Sequence, residues 1–374
     1  MRFTLSSSLL SSRLQTLAKV ITNKNTINIL DCFVFDVSGQ TLTITASDGE
    51  NVMRTQLALD ECDGDGCFAV NNRTILDAAK ELPEQPLVFQ VDTTSYNIEV
   101  VYQNGKYNFT AQNADSYPQL QALPDDCHVM TVQSSLLLAD IVRTQFAAAP
   151  DEVRPAMSGL FFDLGNEYFT LVATDGRKLV RNRNYTVKTE EPCSFILPKK
   201  PSLLLKNILT KDESDVVIRF STNSAEITFS YGTLTCRLVE GRYPNYNAVI
   251  PANNPNEMTV DRKALIGALR RVATFASESS KLVRLHITGG NLELSAEDID
   301  FATSARENVI CEYAGNPMSI GFQCSGMYDI LNNIDSDEVI FKLADPSRAC
   351  VIVPTSSPEN EDVLMLLMPM LLND

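Results

Sequence analysis

The sequence predicts an α+β fold built from three copies of one module, each with two helices and about eight strands. Three observations carry this. A strand, turn, strand pattern returns at a spacing of about 127 residues. An amphipathic helical stretch opens each third of the chain. A second short helix follows a short apolar strand in the middle of each third. The chain has 374 residues, too many for one ordinary core, and 44% of them are hydrophobic against 21% charged. That balance is one of folded domains and not of a disordered chain.

The repeat is read residue by residue. Val34–Leu57, VFDVSGQTLTITASDGENVMRTQL, lies over Phe161–Asn184, FFDLGNEYFTLVATDGRKLVRNRN. Both run apolar pair, Asp, turn, alternating strand, then A-[ST]-D-G and a further strand. Leu285–Val309 is a weaker third copy, with Glu297-Asp298 where the others have Asp-Gly. The opening helices follow from Leu10, Leu14, Leu17 and Ile21, from Leu137, Leu138, Ile141 and Val142, and from Leu265, Leu269 and Val272 behind Asp261 as N-cap. The middle helices are expected at 73–82, 201–209 and 326–334, each after an apolar strand around Phe68, Phe195 or Phe322. Hairpin turns are expected at Ser38-Gly39, Asn104-Gly105 and Gly289-Gly290. Polar, Pro-containing linkers at Leu123–Cys127 and Pro251–Glu257 divide the modules as 1–124, 125–250 and 251–374.

The helices are expected to carry cations on their polar faces. Arg73 and Lys80, Lys199 and Lys206, and Lys263 and Arg270 are each seven residues apart, opposite the apolar stripe. Lys19 and Arg143 are read the same way. On any one helix a solvated face accounts for such residues. On five of six equivalent helices they suggest a basic lining that meets phosphates without reading bases. The chain as a whole is acidic, with 31 Lys and Arg against 47 Asp and Glu and a net charge of −16. By thirds there are 8 basic against 14 acidic residues, then 14 against 15, then 9 against 18. The acid is therefore expected on strands and loops.

No catalytic constellation is legible, and no cofactor or metal is expected. The two histidines, His128 in a linker and His286 in an alternating strand, belong to no motif, and P-loop, G-x-G-x-x-G and G-x-S-x-G patterns are absent. Glu61-x-Asp63-x-Asp65-Gly66 approaches a calcium loop, but the twelfth position is Asn72. The nine cysteines form no C-x-x-C pair, which reads as reduced thiols in the cytoplasm. No export signal or membrane-spanning stretch is read.

The threefold repeat, the A-[ST]-D-G turn with Arg177-Lys178-Leu179, EGRYPNY at Glu240–Tyr246 and LLMPMLL at Leu366–Leu372 resemble the bacterial DNA sliding clamps, the beta subunits of DNA polymerase III. The resemblance runs through the whole chain in order. It implies a non-enzymatic, head-to-tail homodimeric ring with helices inside and sheets outside. Such a ring encircles double-stranded DNA regardless of sequence and tethers the replicative polymerase, the clamp loader and other proteins. Lys24 and Arg73 match family DNA contacts. Met157, Thr174, Gly176, Arg177, Lys178, Leu179, Pro244, Val249, Leu366, Leu367, Met368, Pro369, Met370 and Leu371 match the partner-peptide pocket. Tyr107, Phe109, Thr274 and Phe275 match the dimer interface. Ser280, Ala248 and Gly326 depart from a family aromatic, Arg and Tyr, which bears on the depth of the pocket. A nucleic-acid-processing enzyme and a peptide adaptor that never encircles DNA are the competing classes. The first lacks a metal or nucleophile cluster, and the second would not close into a ring.

Overall fold

The structure, a computed structural model, describes residues 1–22, 25, 27–120, 122–150, 154–210 and 212–372. It is an α+β arrangement of six α-helices and twenty-five strands among the described residues. The helices are α1 (Ser7–Leu17), α2 (Asn72–Lys80), α3 (Ser134–Thr144), α4 (Lys199–Leu209), α5 (Arg262–Ala273) and α6 (Cys324–Asn332). Each lies within two or three residues of where the apolar spacing places it, except that α1 ends at Leu17, four residues short of the expected Ile21. Local chemistry sets the starts. Ser6 accepts from the Leu9 amide, Asn71 from the Arg73 and Thr74 amides, and Asp261 from the Ala264 amide.

The chain divides into two compact units, Met1–Leu138 with Leu203–Leu238, and Ala139–Ser202 with Val239–Asp374. The first unit holds two antiparallel sheets. One orders the strands Glu61–Asp63, Arg2–Ser6, Pro86–Val91, Asn97–Tyr102 and Gly105–Thr110. The other has eight strands and runs from His128–Gln133 through Gly232–Arg237 and Asn51–Ala58 to Gly66–Asn71. The second unit is organised by one twelve-stranded sheet from Cys193–Pro198 to Met318–Gln323. Within it Lys178–Asn184 pairs along its whole length with Glu361–Leu367.

Strand alternation puts the apolar residues inside. Leu42, Ile44 and Ala46 of Thr41–Ser47 are fully buried, as are Val283, Leu285 and Ile287 of Leu282–Thr288. Phe3 stacks on Phe89 at 4.8 Å and Phe162 on Phe195 at 4.5 Å.

Several local expectations are corrected. The hairpin after Asn97–Tyr102 turns at Gln103-Asn104, because Tyr102 already pairs with Gly105. A Cβ on Gly105 would stand 2.6 Å from the Tyr102 hydroxyl, so packing and not a left-handed turn selects glycine there. Asn256 and Glu257 belong to a strand and not to a linker. His128 opens a strand and packs its ring 5.3 Å from Phe220.

Candidate functional site

Three strands, Phe169–Thr174, Lys178–Asn184 and Glu361–Leu367, with the turn between the first two, the short helices Pro155–Met157 and Tyr246–Val249, the loop at Pro244 and the tail carry the expected peptide-pocket residues in the second unit. The turn between Phe169–Thr174 and Lys178–Asn184 is braced from within. Asp175 accepts from the Arg177 and Lys178 amides at 2.8 Å each, and Gly176 takes φ +86°. Burial raises the Asp175 pKa. Those two amides and the Lys178 ammonium outweigh it and hold the carboxyl below its ordinary range. Lys178 Nζ lies 3.1 Å from Asp175 and 3.4 Å from Asp329 of α6.

The tail runs past this turn. Leu179 pairs with Leu366 and Lys178 with Leu367, and the Met368 amide donates to the Arg177 carbonyl at 2.8 Å. Thr174, Leu179, Leu366 and Leu367 are buried, while Met157, Pro369 and Met370 are half-buried. Gly176, Arg177, Pro244, Val249, Met368 and Leu371 are exposed, the last at 82%. The result is an apolar floor with adaptable methionines and leucines at its margin.

The floor is aromatic on one side. Tyr243, Tyr246, Val172, Leu179, Ile196, Ala349 and Leu366 form one buried cluster. Phe161 stacks on Tyr243 at 4.6 Å. Tyr246 donates its hydroxyl to Asp163 at 2.7 Å. Burial, with Asp163 adjacent, pushes the Tyr246 phenol up to about 12. EGRYPNY is therefore a packing motif as well as a surface one. At Gly326, a Cβ would approach Leu367 Cδ1 to 3.0 Å, so Leu367 occupies space beside α6 that a larger residue would claim. Ala248 is exposed on the short helix Tyr246–Val249, and Ser280 is half-buried in a turn where it accepts from the Leu282 amide.

The expected DNA-facing cations separate into two groups. Arg73 and Lys80 on α2, Lys199 and Lys206 on α4, and Lys263 and Arg270 on α5 are all exposed, opposite buried stripes such as Leu265, Ala268, Leu269 and Val272. Lys263 stands 3.7 Å from Asp337, and the Arg270 Nε donates to the Tyr328 hydroxyl at 3.0 Å. Two further cations are reassigned. Lys19 lies beyond the end of α1 and donates to Asn207 at 2.6 Å. Arg143 is half-buried and bonded to Glu361, with Asp140 at 3.9 Å. The cation of α1 itself, Arg13, lies over the Tyr231 ring at 3.9 Å. Exposed paired cations thus belong to α2, α4 and α5 and not to five helices. Lys24 lies outside the described residues.

The four expected interface residues lie on two open elements. Tyr107 and Phe109 are half-buried on Gly105–Thr110, the last strand of its sheet. Thr274 and Phe275 are exposed at the end of α5. Two features are not foreseen from the sequence. Ile299 and Phe301 are 85% and 76% exposed at a hairpin tip, with Ile310 also bare. Their apolar character is visible in the sequence, but the turn there departs from the Asp-Gly pattern of the other copies. The second is a buried polar site under α3. Asp140 is fully buried and accepts from Asn182, and burial first, then Glu361, raise its pKa well above the carboxylate range despite Arg143.

Comparison with known proteins covers the same ground from end to end. Family models of the DNA polymerase III beta subunit match in sequence order. The N-terminal domain matches residues 1–121, the central domain 131–245 and the C-terminal domain 247–371. The beta sliding clamp of Pseudomonas aeruginosa is 28% identical over 373 residues, spanning 99% of this chain and all of that protein. That of Haemophilus influenzae is 26% identical over 370 residues, spanning 98% and 99%. Among solved structures, a sliding clamp of Pseudomonas aeruginosa bound to griselimycin superposes with a TM-score of 0.94 at 26% identity, covering all of both chains. One of Bartonella birtlesii, also bound to griselimycin, does so with a TM-score of 0.91 at 25% identity, again over both whole chains. The chain belongs to the DNA polymerase III beta subunit family, the bacterial sliding clamps.

Proposed function

We propose that two copies of this chain close head to tail into a ring that encircles duplex DNA and tethers the replicative polymerase without itself catalysing a reaction. The observation that carries this is the set of paired, exposed cations on α2, α4 and α5 in a chain of net charge −16. Cations seven residues apart stand about 10 Å from one another along a helix, on nearly the same face. In the ring these helices face inward, three modules per chain with boundaries near 124/125 and 250/251. Their cations meet phosphates and leave base edges unread. The family resemblance adds Lys24 to these DNA contacts. The acidic remainder faces outward and discourages contact with DNA from the outside.

The pocket around Met368 and the Thr174–Lys178 turn takes a short peptide from the polymerase, the clamp loader and other DNA-processing partners in the cytoplasm. Its exposed apolar margin, with Val249, Met368 and Leu371, supports this. Tyr107 and Phe109 of one copy and Thr274 and Phe275 of the other form the dimer interface.

Retention on circular DNA tests topology directly. Protein loaded on nicked circles should remain bound through gel filtration at moderate salt and be lost when the circle is linearised. Equal retention on linear DNA would refute encirclement.

A further inference from the structure

The helix α6 carries no Lys or Arg of its own, yet it holds an arginine from its neighbour. Ser325 and Asn332 are exposed and Tyr328 is half-buried along one stripe of α6, while Met327, Ile330 and Leu331 are buried on the other side. Spacings of three and seven residues keep the first three together. From that stripe Tyr328 meets Arg270 of α5. The Arg270 Nε donates to the phenol oxygen at 3.0 Å, and Nη2 donates to the same atom. The guanidinium carbon lies 5.1 Å from the ring centroid. Arg270 is exposed, on the same side of α5 as Lys263. The two helices therefore share one solvent-facing surface at this point.

The donors left over define what this surface can bind. A guanidinium has five N–H donors in a planar fork. Two of them point at Tyr328, which leaves the others for a ligand. The phenol oxygen accepts from Arg270, and its own O–H is the group these bonds do not use. The bonds from Arg270 also draw the phenol pKa below the ordinary tyrosine value, against burial and Asp329, and so strengthen the O–H as a donor. Asp329, the acid of α6, is engaged by Lys178 at 3.4 Å. What remains is a patch of donors with one positive charge. A phosphate, which only accepts, matches it, whereas a base edge presents donors as well.

The phenol also changes what binding costs. A free arginine side chain on a helix surface loses rotamer freedom when it closes on a phosphate. Held by Tyr328, Arg270 has given up part of that freedom before any ligand arrives.

Given the encirclement proposed above, on which this rests, we infer that Arg270 and Tyr328 act as one phosphate contact across α5 and α6. Tyr328 fixes the guanidinium and donates its O–H to the phosphate that the remaining Arg270 donors meet. The helix without a cation thus joins the lining through a donor that adds no charge.

Binding of a short labelled duplex, which the ring threads from the open ends at low salt, tests this by fluorescence anisotropy over a range of salt concentrations. Arg270→Ala should raise Kd about tenfold and lower the slope of log K against log salt by about 0.9. Tyr328→Phe keeps the ring and loses only the hydroxyl. It should raise Kd about three- to tenfold, the size of one hydrogen bond, with the salt slope and the melting temperature unchanged. Made in Arg270→Ala protein, the same change should cost less than about twofold, because the phenol is no longer held or polarised. Weakening by Arg270→Ala but not by Tyr328→Phe would overturn the phenol contact and leave the basic lining standing. Effects that simply multiply in the double variant would overturn the coupling of the two residues. An unchanged Kd and slope in Arg270→Ala would instead remove α5 from the lining itself.

Discussion

At Asp140 an ionisable side chain is fully enclosed, with Asn182 donating to one carboxylate oxygen and Arg143 committed to Glu361. Burial favours the protonated form, so the folded chain keeps a proton that the unfolded chain releases near pH 4. Stability is then greatest below that pH and falls as pH rises toward the folded value. Asp140→Asn keeps the shape and an acceptor for Asn182 but removes the titration. Thermal unfolding of that variant should lose this part of the pH slope and be at least as stable as the parent at pH 8. At the pocket margin, Met368→Ser with Leu371→Ser should weaken a polymerase-derived peptide at least tenfold by fluorescence anisotropy. Both side chains are exposed, so the melting temperature should stay within about 2 °C. The residues of the proposed pocket are named by a family pattern, and the strand pairing sets Leu179 opposite Leu366. Asp140 is not, because one Asp in an amphipathic helix looks solvated until the sheet beneath it is known.

At the scale of elements, helix position follows from apolar spacing and strand position from alternation and turn residues. The environment of individual cations does not. Arg13 and Arg143 fall on helices whose apolar stripes are plain in the sequence, yet one stacks on Tyr231 and the other pairs with Glu361. Long side chains reach partners supplied by distant strands, and periodicity carries no information about those. Strand junctions are equally hidden in sequence and equally demanding. A Cβ on Gly232 would stand 2.1 Å from the Arg54 carbonyl oxygen across the junction strand. Gly232→Ala should therefore cost about 1–3 kcal/mol in denaturant unfolding, since backbone and not a flexible side chain must yield.

For the whole molecule, net charge says little about where the exposed cations lie, because α4 and α5 carry Lys and Arg with no acidic residue of their own and α2 carries one Asp beside Arg73 and Lys80. The salt dependence of the loaded state reports the cations alone. Each neutralised phosphate contributes about 0.9 to the slope of log K against log salt on duplex DNA. Lys80→Ala and Lys206→Ala should each lower that slope by about this amount for every phosphate left without its lysine, across unrelated sequences alike. An unchanged slope would place those lysines away from phosphate. The tail has one more consequence. Met370 bridges Gly321, donating its amide to that carbonyl at 2.8 Å on the outermost strand of the twelve-stranded sheet. The residues of the proposed docking margin also shield a strand that would otherwise recruit other strands. Trimming Pro369–Leu372 should therefore yield a protein that precipitates as well as one that fails to bind, and solubility must be measured before a lost interaction is credited to the pocket.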